Sequence, residues 1–384
     1  MTEPGLIVIG SGPAGVGAAE AFRKRRADIP VRILTADNDE PYQRPPLSKE
    51  FLRGETDDVS LHPSSWFSDR DLDVTTGAPV AGIDVQAHTV TAAGRRYDYA
   101  HLILATGASP TPLPVPGGEL ALQLRSLQDA GRLRAAAQRA ESAVVIGAGF
   151  IGCEAAASLA MKGLSVTMVA PEKLPQEKRL GAAAGQKLVA LIEEAGARFS
   201  GGVGVEEIRA DAVVLDNGVT VTADLIVAAT GVQPNSAQAQ AAGVPTERSR
   251  IVVDAGMATG LPDVYAAGDV ALAFNTTAGR PIVIEHWQDA ADQGAVAGAR
   301  AAGADARWSG VPGFWTSIGD ATVKYHAWGD GYDDSRLIEH RDGFTVWYES
   351  GGATVAVLTC NADDDYDLGE NLIQAGKPAP VPVR

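Results

Sequence analysis

The sequence predicts an α/β protein of two Rossmann-like dinucleotide-binding units followed by a small C-terminal α+β unit, and three observations predict it. A glycine-rich GxGxxG turn follows an apolar run at Gly10 and opens an alanine-rich stretch. A second turn of the same form does so at Gly147. From about Trp308 the texture changes to alternating, aromatic-rich runs of the kind that build antiparallel strands. A length of 384 residues fits two or three compact units better than one.

The first element is the strand Leu6-Ile-Val-Ile, which feeds Gly10-Ser-Gly12-Pro13-Ala14-Gly15 and a helix running to about Arg26. A second strand covers Val31 to Thr35 and ends near Asp37. Gly10 permits the tight turn, Gly12 lets a pyrophosphate reach the backbone, and Gly15 packs the helix on the strand. The amides and dipole at the helix start hold phosphate oxygens. Asp37, 22 positions past Gly15, stands where a carboxylate binds a ribose hydroxyl pair.

The second turn repeats the design in Ser142-Ala-Val-Val-Ile-Gly147-Ala-Gly149-Phe150-Ile151-Gly152-Cys-Glu154. A helix follows to Lys162, Gly163 ends it, and Leu164–Val169 is the next strand. Ala170 occupies the position that ends that strand, and the nearest carboxylate is Glu172. In the C-terminal unit, Thr322–Trp328, Phe344–Glu349 and Thr354–Leu358 read as strands, before a short helix around Leu368–Gln374 and a proline-rich tail.

Composition narrows the function. The chain carries 32 Lys+Arg against 48 Asp+Glu, a formal net charge of −16, which disfavours nucleic acid and anionic membranes as partners. Its two cysteines, Cys153 and Cys360, form no CxxC pair, so no structural disulfide, cysteine metal site or dithiol centre is expected, and no metal. No apolar stretch reaches the roughly 18 residues that span a bilayer. The start MTEPG runs straight into the first strand without room for a signal peptide, and a cytoplasmic location is expected.

Between the two turns lies Pro41-Tyr-Gln-Arg44-Pro-Pro-Leu-Ser-Lys49-Glu-Phe. This segment resembles one shared by ferredoxin, rubredoxin and putidaredoxin reductases and by apoptosis-inducing factor. Leu102-Ile-Leu-Ala-Thr106-Gly107, Leu225-Ile-Val-Ala-Ala-Thr230-Gly231 and Val264-Tyr-Ala-Ala-Gly268-Asp269 are similar to segments of the same superfamily of two-dinucleotide flavoproteins. The resemblance runs from about residue 5 to 330. It implies an FAD-binding domain at 1–112 and 236–307, interrupted by an NAD-binding domain at 113–235, and a C-terminal α+β domain at 308–384.

The resemblance also implies roles. Arg44, Lys49 and Arg125 match positions that contact FAD, and Asp269 matches the aspartate on the flavin's ribitol chain. Glu285 and His286 match a pair beside the isoalloxazine, with Trp287 next to them, and Trp315 matches an aromatic at the ring. Val80, Thr106, Gly107, Gly268 and Gly231 complete the expected cofactor-binding positions, with Gly147, Gly149, Phe150 and Ile151 for the nicotinamide dinucleotide. Glu154 matches a glutamate where the nicotinamide arrives, and Lys49 is similar to the lysine that pairs with it. Lys49, Glu154 and Trp315 are therefore the expected catalytic group. Plainer readings stand beside these: Arg125 as a solvated helix charge, His286 as a hydrogen-bonded side chain, Trp315 as core, and Lys49 with Glu154 as a simple ion pair.

NADH is expected over NADPH, because a carboxylate accepts both ribose hydroxyls and repels a 2′-phosphate. Pro171-Glu172-Lys173 resembles apoptosis-inducing factor here, and Lys178 matches a lysine near the dinucleotide. The implied reaction passes hydride from NADH to FAD and then electrons to a ferredoxin or similar iron–sulfur protein. An NADH-oxidising, redox-sensing binding protein like apoptosis-inducing factor is one alternative, and a quinone or small-molecule reductase is another. One feature departs from the family pattern. Trp308–Arg384 holds 5 Lys+Arg against 12 Asp+Glu, with clusters at Asp330–Asp334 and Asp363–Asp367, whereas acidic ferredoxins dock on basic patches.

Overall fold

The computed structural model describes residues 4–381. The leading Met1–Glu3 and the last three residues of the proline-rich tail lie outside the described residues. The chain divides into two compact units, each assembled from three segments.

The first unit comprises the chain up to Gln43, Ser60–Ser109 and Gln233–Gly313. Its sheet centres on Gly5–Ile9, which pairs in parallel with Val31–Leu34 on one side and Arg95–Leu104 on the other. Leu72–Thr75 extends one flank, and Val264–Ala266 pairs with the end of Arg95–Leu104, from Leu102 to Leu104. Every residue of Gly5–Ile9 is buried. A continuous apolar run is the mark of a parallel strand covered on both faces. The helix Pro13–Arg23 then lies against Trp287–Ala301 at very short range. A Cβ on Gly294 would stand 2.1 Å from the Ala14 carbonyl oxygen, and one on Gly298 2.0 Å from that of Ala18. Two glycines one turn apart let the backbones touch.

The second unit comprises Arg44–Val59, Pro110–Val232 and the chain from Phe314 onward. Its parallel sheet runs in the order Arg198–Gly201, Ser165–Ala170, Ser142–Ile146, Leu225–Ala228 and Leu122–Gln123. The C-terminal sheet is antiparallel, in the order Gly313–Ile318, Ala321–Ala327, Ala353–Cys360, Phe344–Ser350 and Asp334–Glu339. These two sheets feed one core: Val145, Leu159, Met168 and Leu188 cluster with Val323, Tyr325, Val346 and Tyr348. The buried Tyr348 hydroxyl donates to the Leu180 carbonyl at 2.9 Å and ties the C-terminal sheet to the helix Glu177–Glu194.

Two local findings extend the sequence reading. Asp334–Glu339 forms a strand that alternation did not reveal, because it is an outer strand with no fully buried residue. The last helix spans Asp363–Ala375, starting earlier than expected. Its first turn carries Asp363, Asp364 and Asp365, and negative charge is favoured at that helix end.

Candidate active site

Both glycine turns have the geometry that a pyrophosphate needs. Gly10 has φ +111°, and a Cβ there would lie 2.1 Å from the Ala105 carbonyl oxygen. Gly147 has φ +109°, with 2.3 Å to the oxygen of Ala229. Each turn is thus seated against the alanine of an Ala-Thr-Gly segment, Ala105-Thr106-Gly107 or Ala229-Thr230-Gly231. Gly15 and Gly152 permit the first helical turn to close, since a Cβ on either would fall within 2.2 Å of the Gly10 or Gly147 oxygen. The helices start at Pro13 and Phe150 with Gly12 and Gly149 as caps, and no side chain caps either. A helix start without a capping side chain is the arrangement that receives phosphate.

Around the first turn, in the first unit, Asp37 lies just past Val31–Leu34 and accepts a 2.6 Å hydrogen bond from the Tyr42 hydroxyl. The Ser11 hydroxyl donates to Thr35 at 3.0 Å, bracing the turn against that strand end. Pro13 and Ala14 form the start of the helix, and Gly268 sits over it, its own Cβ position 3.0 Å from that of Ala14. The Gly268 amide donates at 3.0 Å to the buried side chain of Gln293, and Asp269 beside it is 8% exposed. Thr106 is latched by Asn235, with bonds of 2.8 Å from its hydroxyl and 3.0 Å to its carbonyl; the Asn235 amide also donates to the Gly107 carbonyl. Val80 is buried and its carbonyl accepts from Gln238. Glu285 accepts from Arg250 at 2.6 Å. His286 caps the helix that begins with the half-buried Trp287, and its Nδ1 lies 2.9 Å from Asp289.

The second unit brings Lys49, Glu154 and Trp315 into one cluster. Lys49 follows the 3₁₀ turn Pro45–Ser48, whose two prolines fix its entry, and Glu154 lies on the helix Phe150–Met161. The Lys49 ammonium is 2.8 Å from Glu154 Oε2, and both side chains are at most 4% exposed. Lys49 also donates to the Pro45 carbonyl at 2.7 Å. Glu154 accepts further bonds from the Ser48 hydroxyl at Oε2 and, at 2.6 Å, from Thr316 at Oε1. One turn along the helix, Ser158 donates to the Ser48 carbonyl at 2.7 Å, so a single helix face grips the Pro45–Lys49 turn twice. Trp315 is 52% exposed, which excludes a core role, and Lys49 Nζ lies 5.5 Å from its ring centroid.

The remaining expected positions of the second unit are spread around it. Arg44 leads into the 3₁₀ turn, and Arg125 directly precedes Ser126, which caps the helix Leu127–Ala137 with a full capping box. Phe150 meets Phe314 edge-on at 4.8 Å, Ile151 is 47% exposed, and the Gly231 carbonyl accepts from Thr111 at 2.9 Å. Glu172 is partly exposed, 3.8 Å from the Lys178 ammonium. The Arg179 guanidinium lies over the rings of Phe314 and Tyr325 at 5.6 and 5.1 Å. Gln176, which precedes the helix Glu177–Glu194, reaches back to the Ala148 carbonyl at 3.4 Å. Cys153 is wholly buried, burial drives its thiol far above the ordinary range, and it is a free cysteine like Cys360. A neutral thiol held away from solvent is packing, not a nucleophile.

Ser48, Ser158, Thr316, Asn235, Arg250, Gln176 and Gln293, which support the expected positions, are not marked in the sequence. Ser48 stood inside the recognised segment and Thr316 next to Trp315, yet a lone hydroxyl residue carries no spacing signal.

Two glycine turns of one construction, each with its own strand, helix and Ala-Thr-Gly support, define a double dinucleotide-binding protein. The chain belongs to the pyridine nucleotide-disulphide oxidoreductase family, which its residues 4–294 match. It is 34% identical over 98% of its length to the anthranilate 1,2-dioxygenase system ferredoxin–NAD(+) reductase component of Burkholderia cepacia, covering 95% of that protein. It is 32% identical over 97% of its length to human apoptosis-inducing factor 3, of which it spans 63%. Among solved structures it is similar to the ferredoxin reductase for the CYP199A2 system of Rhodopseudomonas palustris, with TM-score 0.93 and 30% identity, over 98% of this chain and 96% of that one.

Proposed function

We propose that this chain is a flavoprotein reductase that takes electrons from NADH and passes them to a ferredoxin or similar small iron–sulfur protein. The Gly10 turn would hold FAD and the Gly147 turn NADH, and the two would supply the redox chemistry, a hydride passing from nicotinamide to flavin. The functional division into 1–112 with 236–307, 113–235 and 308–384 is part of this proposal, and limited proteolysis of the loaded protein tests it.

The observation that carries the reading is the buried Lys49–Glu154 pair, on the helix opened by the second glycine turn and beneath an exposed indole. Taking two charges out of water costs several kcal/mol per ion, and apolar residues in the same space are often as stable. A pair kept at that cost, with every neighbour arranged to satisfy it, points to chemistry. Trp315 offers a flat apolar face on which a nicotinamide can stack, and Lys49 beneath it sets the local charge. Asp37 and Glu172 are the carboxylates proposed for the two adenosine riboses. Glu172 favours NADH because it repels a 2′-phosphate.

The ferredoxin–NAD(+) reductase of Burkholderia cepacia, similar over nearly the whole chain, supports the choice of acceptor. The test is sequential mixing without oxygen: flavin-loaded protein, then NADH, then a [2Fe–2S] ferredoxin. Rapid bleaching of the flavin followed by rapid ferredoxin reduction is expected. A flavin that stays reduced while the ferredoxin stays oxidised rejects this acceptor. In that case persistence after quinone is added assigns the chain to the redox-sensing reading, and reoxidation by quinone assigns it to the small-molecule reductases. We place the reaction in the cytoplasm, where the nicotinamide pool lies. No helix among the described residues is long and apolar enough to cross a membrane. Recovery of the protein in a membrane or extracytoplasmic fraction would contradict that placement.

A further inference from the structure

Trp315 and Thr316 are consecutive residues of the outer strand Gly313–Ile318. Successive side chains of a strand point to opposite faces. Trp315 accordingly faces outward at 52% exposure, while Thr316 faces inward at 1%. The two nevertheless hold the same ion pair from two sides. The indole lies over the Lys49 ammonium, 5.5 Å from ring centroid to Nζ. The Thr316 hydroxyl donates to Glu154 Oε1 at 2.6 Å. Glu154 Oε2 then returns to Lys49 at 2.8 Å. Indole, ammonium, carboxylate and hydroxyl form a loop that one peptide bond closes.

Oxygen Oε2 has two donors, Ser48 and Lys49, whereas Oε1 has Thr316 as its donor among the described residues. With Oε2 anchored by two donors, that one hydroxyl fixes the remaining rotation of the carboxylate. A buried carboxylate oxygen left without its donor costs about 1–3 kcal/mol, which favours rotation of the carboxylate away from the position in which Oε2 meets both Ser48 and Lys49.

We propose that Thr316 is a positioning residue for the reaction proposed above: it fixes the rotation of Glu154, and through it the place of the Lys49 ammonium under Trp315. The rate of hydride transfer then responds to a residue whose side chain is 1% exposed and bonds to Glu154. Thr316 acts through Glu154, and its hydroxyl, not its volume, is what matters.

The test compares Thr316→Val, which keeps the shape and removes the donor, with Thr316→Ser, which restores it. Thr359→Val is the control, a threonine equally buried at 1% in the same sheet whose hydroxyl has no hydrogen-bond partner among the described residues. Two readouts are taken on flavin-loaded protein. Competitive acetylation of lysines, read by peptide mass spectrometry, reports on the Lys49 ammonium without any turnover. Lys49 is expected to be protected in the wild type, Thr316→Ser and Thr359→Val, and to react several-fold faster in Thr316→Val. In turnover with NADH, Thr316→Val is expected to lower kcat roughly tenfold, the scale of a lost hydrogen bond to a charged group, at near-constant KM. Equal Lys49 labelling in Thr316→Val and wild type overturns the proposal, whatever the activity. Labelling that rises equally in Thr359→Val also overturns it, since the effect would then be general loosening of the sheet. If Lys49 labelling changes as expected in a protein that NADH does not reduce, the reductase reading fails while the positioning role stands.

Discussion

Glu172 stands two residues beyond Ala170, the last residue of the strand Ser165–Ala170, and is partly exposed with the Lys178 ammonium 3.8 Å away. The neighbouring arginine, Arg179, is drawn over two aromatic rings instead of turning to the carboxylate. In the function proposed above, this leaves the acid to meet a ribose. Glu172→Ala is expected to raise the NADH KM by roughly tenfold, the effect of losing a charged hydrogen-bond acceptor. It is also expected to narrow the preference over NADPH; steady-state kinetics with both dinucleotides measures this, and an unchanged NADH KM removes Glu172 from the site. At this scale the sequence was readable where a residue has few substitutes. Gly10 and Gly147 carry positive φ with a carbonyl in the Cβ position, so no other residue fits. Thr316, Ser48 and Ser158 were not readable. Serine and threonine occur everywhere, and what marks these three is the carboxylate and carbonyl that the fold brings to them.

The helix pair Pro13–Arg23 and Trp287–Ala301 shows how glycine acts at the scale of elements. Gly294→Ala places a methyl 2.1 Å from the Ala14 carbonyl, on the helix opened by the first phosphate turn. Overpacking of this kind costs about 1–3 kcal/mol. The expected result is a lower melting temperature and weaker retention of FAD on gel filtration. Gly131→Ala makes the same chemical change in the helix Leu127–Ala137, where nothing lies within 4 Å of the added carbon. That variant is expected to gain about 0.5–1 kcal/mol from reduced backbone freedom in the unfolded chain. Opposite signs in thermal melts support close helix packing; a loss at both positions contradicts it. Elements with a period or a breaker were legible from sequence, as with both βαβ starts and the runs from Thr322, Phe344 and Thr354. Asp334–Glu339 was not, since an outer strand that buries no residue fully keeps little alternation. The common core of the second unit was also hidden, because Tyr348 and Leu180 are joined by a hydrogen bond across 168 positions of sequence, with no local mark.

For the molecule as a whole, charge is the property with consequences for the acceptor. The net charge is −16, and the C-terminal 77 residues carry 12 of the 48 acids with only 5 of the 32 bases. Several acids there are already engaged: Asp363 with Lys324 at 2.8 Å, Asp365 with Thr345 at 2.5 Å, and Glu339 with Lys187 at 2.5 Å. Two of these pairings also occupy a lysine, Lys324 and Lys187. In the function proposed above, an acidic ferredoxin docking on this region would meet like charge, and its reduction is expected to speed up as salt is raised, because screening weakens the repulsion. Stopped-flow rates across a salt series measure this, and a rate that falls with salt places docking instead on a basic stretch such as Arg23–Arg26 or Lys173–Arg179. The central claim can be tested before any acceptor is known. Protein reconstituted with FAD and titrated with NADH under argon is expected to hold one flavin per chain and to bleach at about one NADH per flavin. A chain that takes up no flavin, or a bound flavin that NADH leaves oxidised, would contradict it.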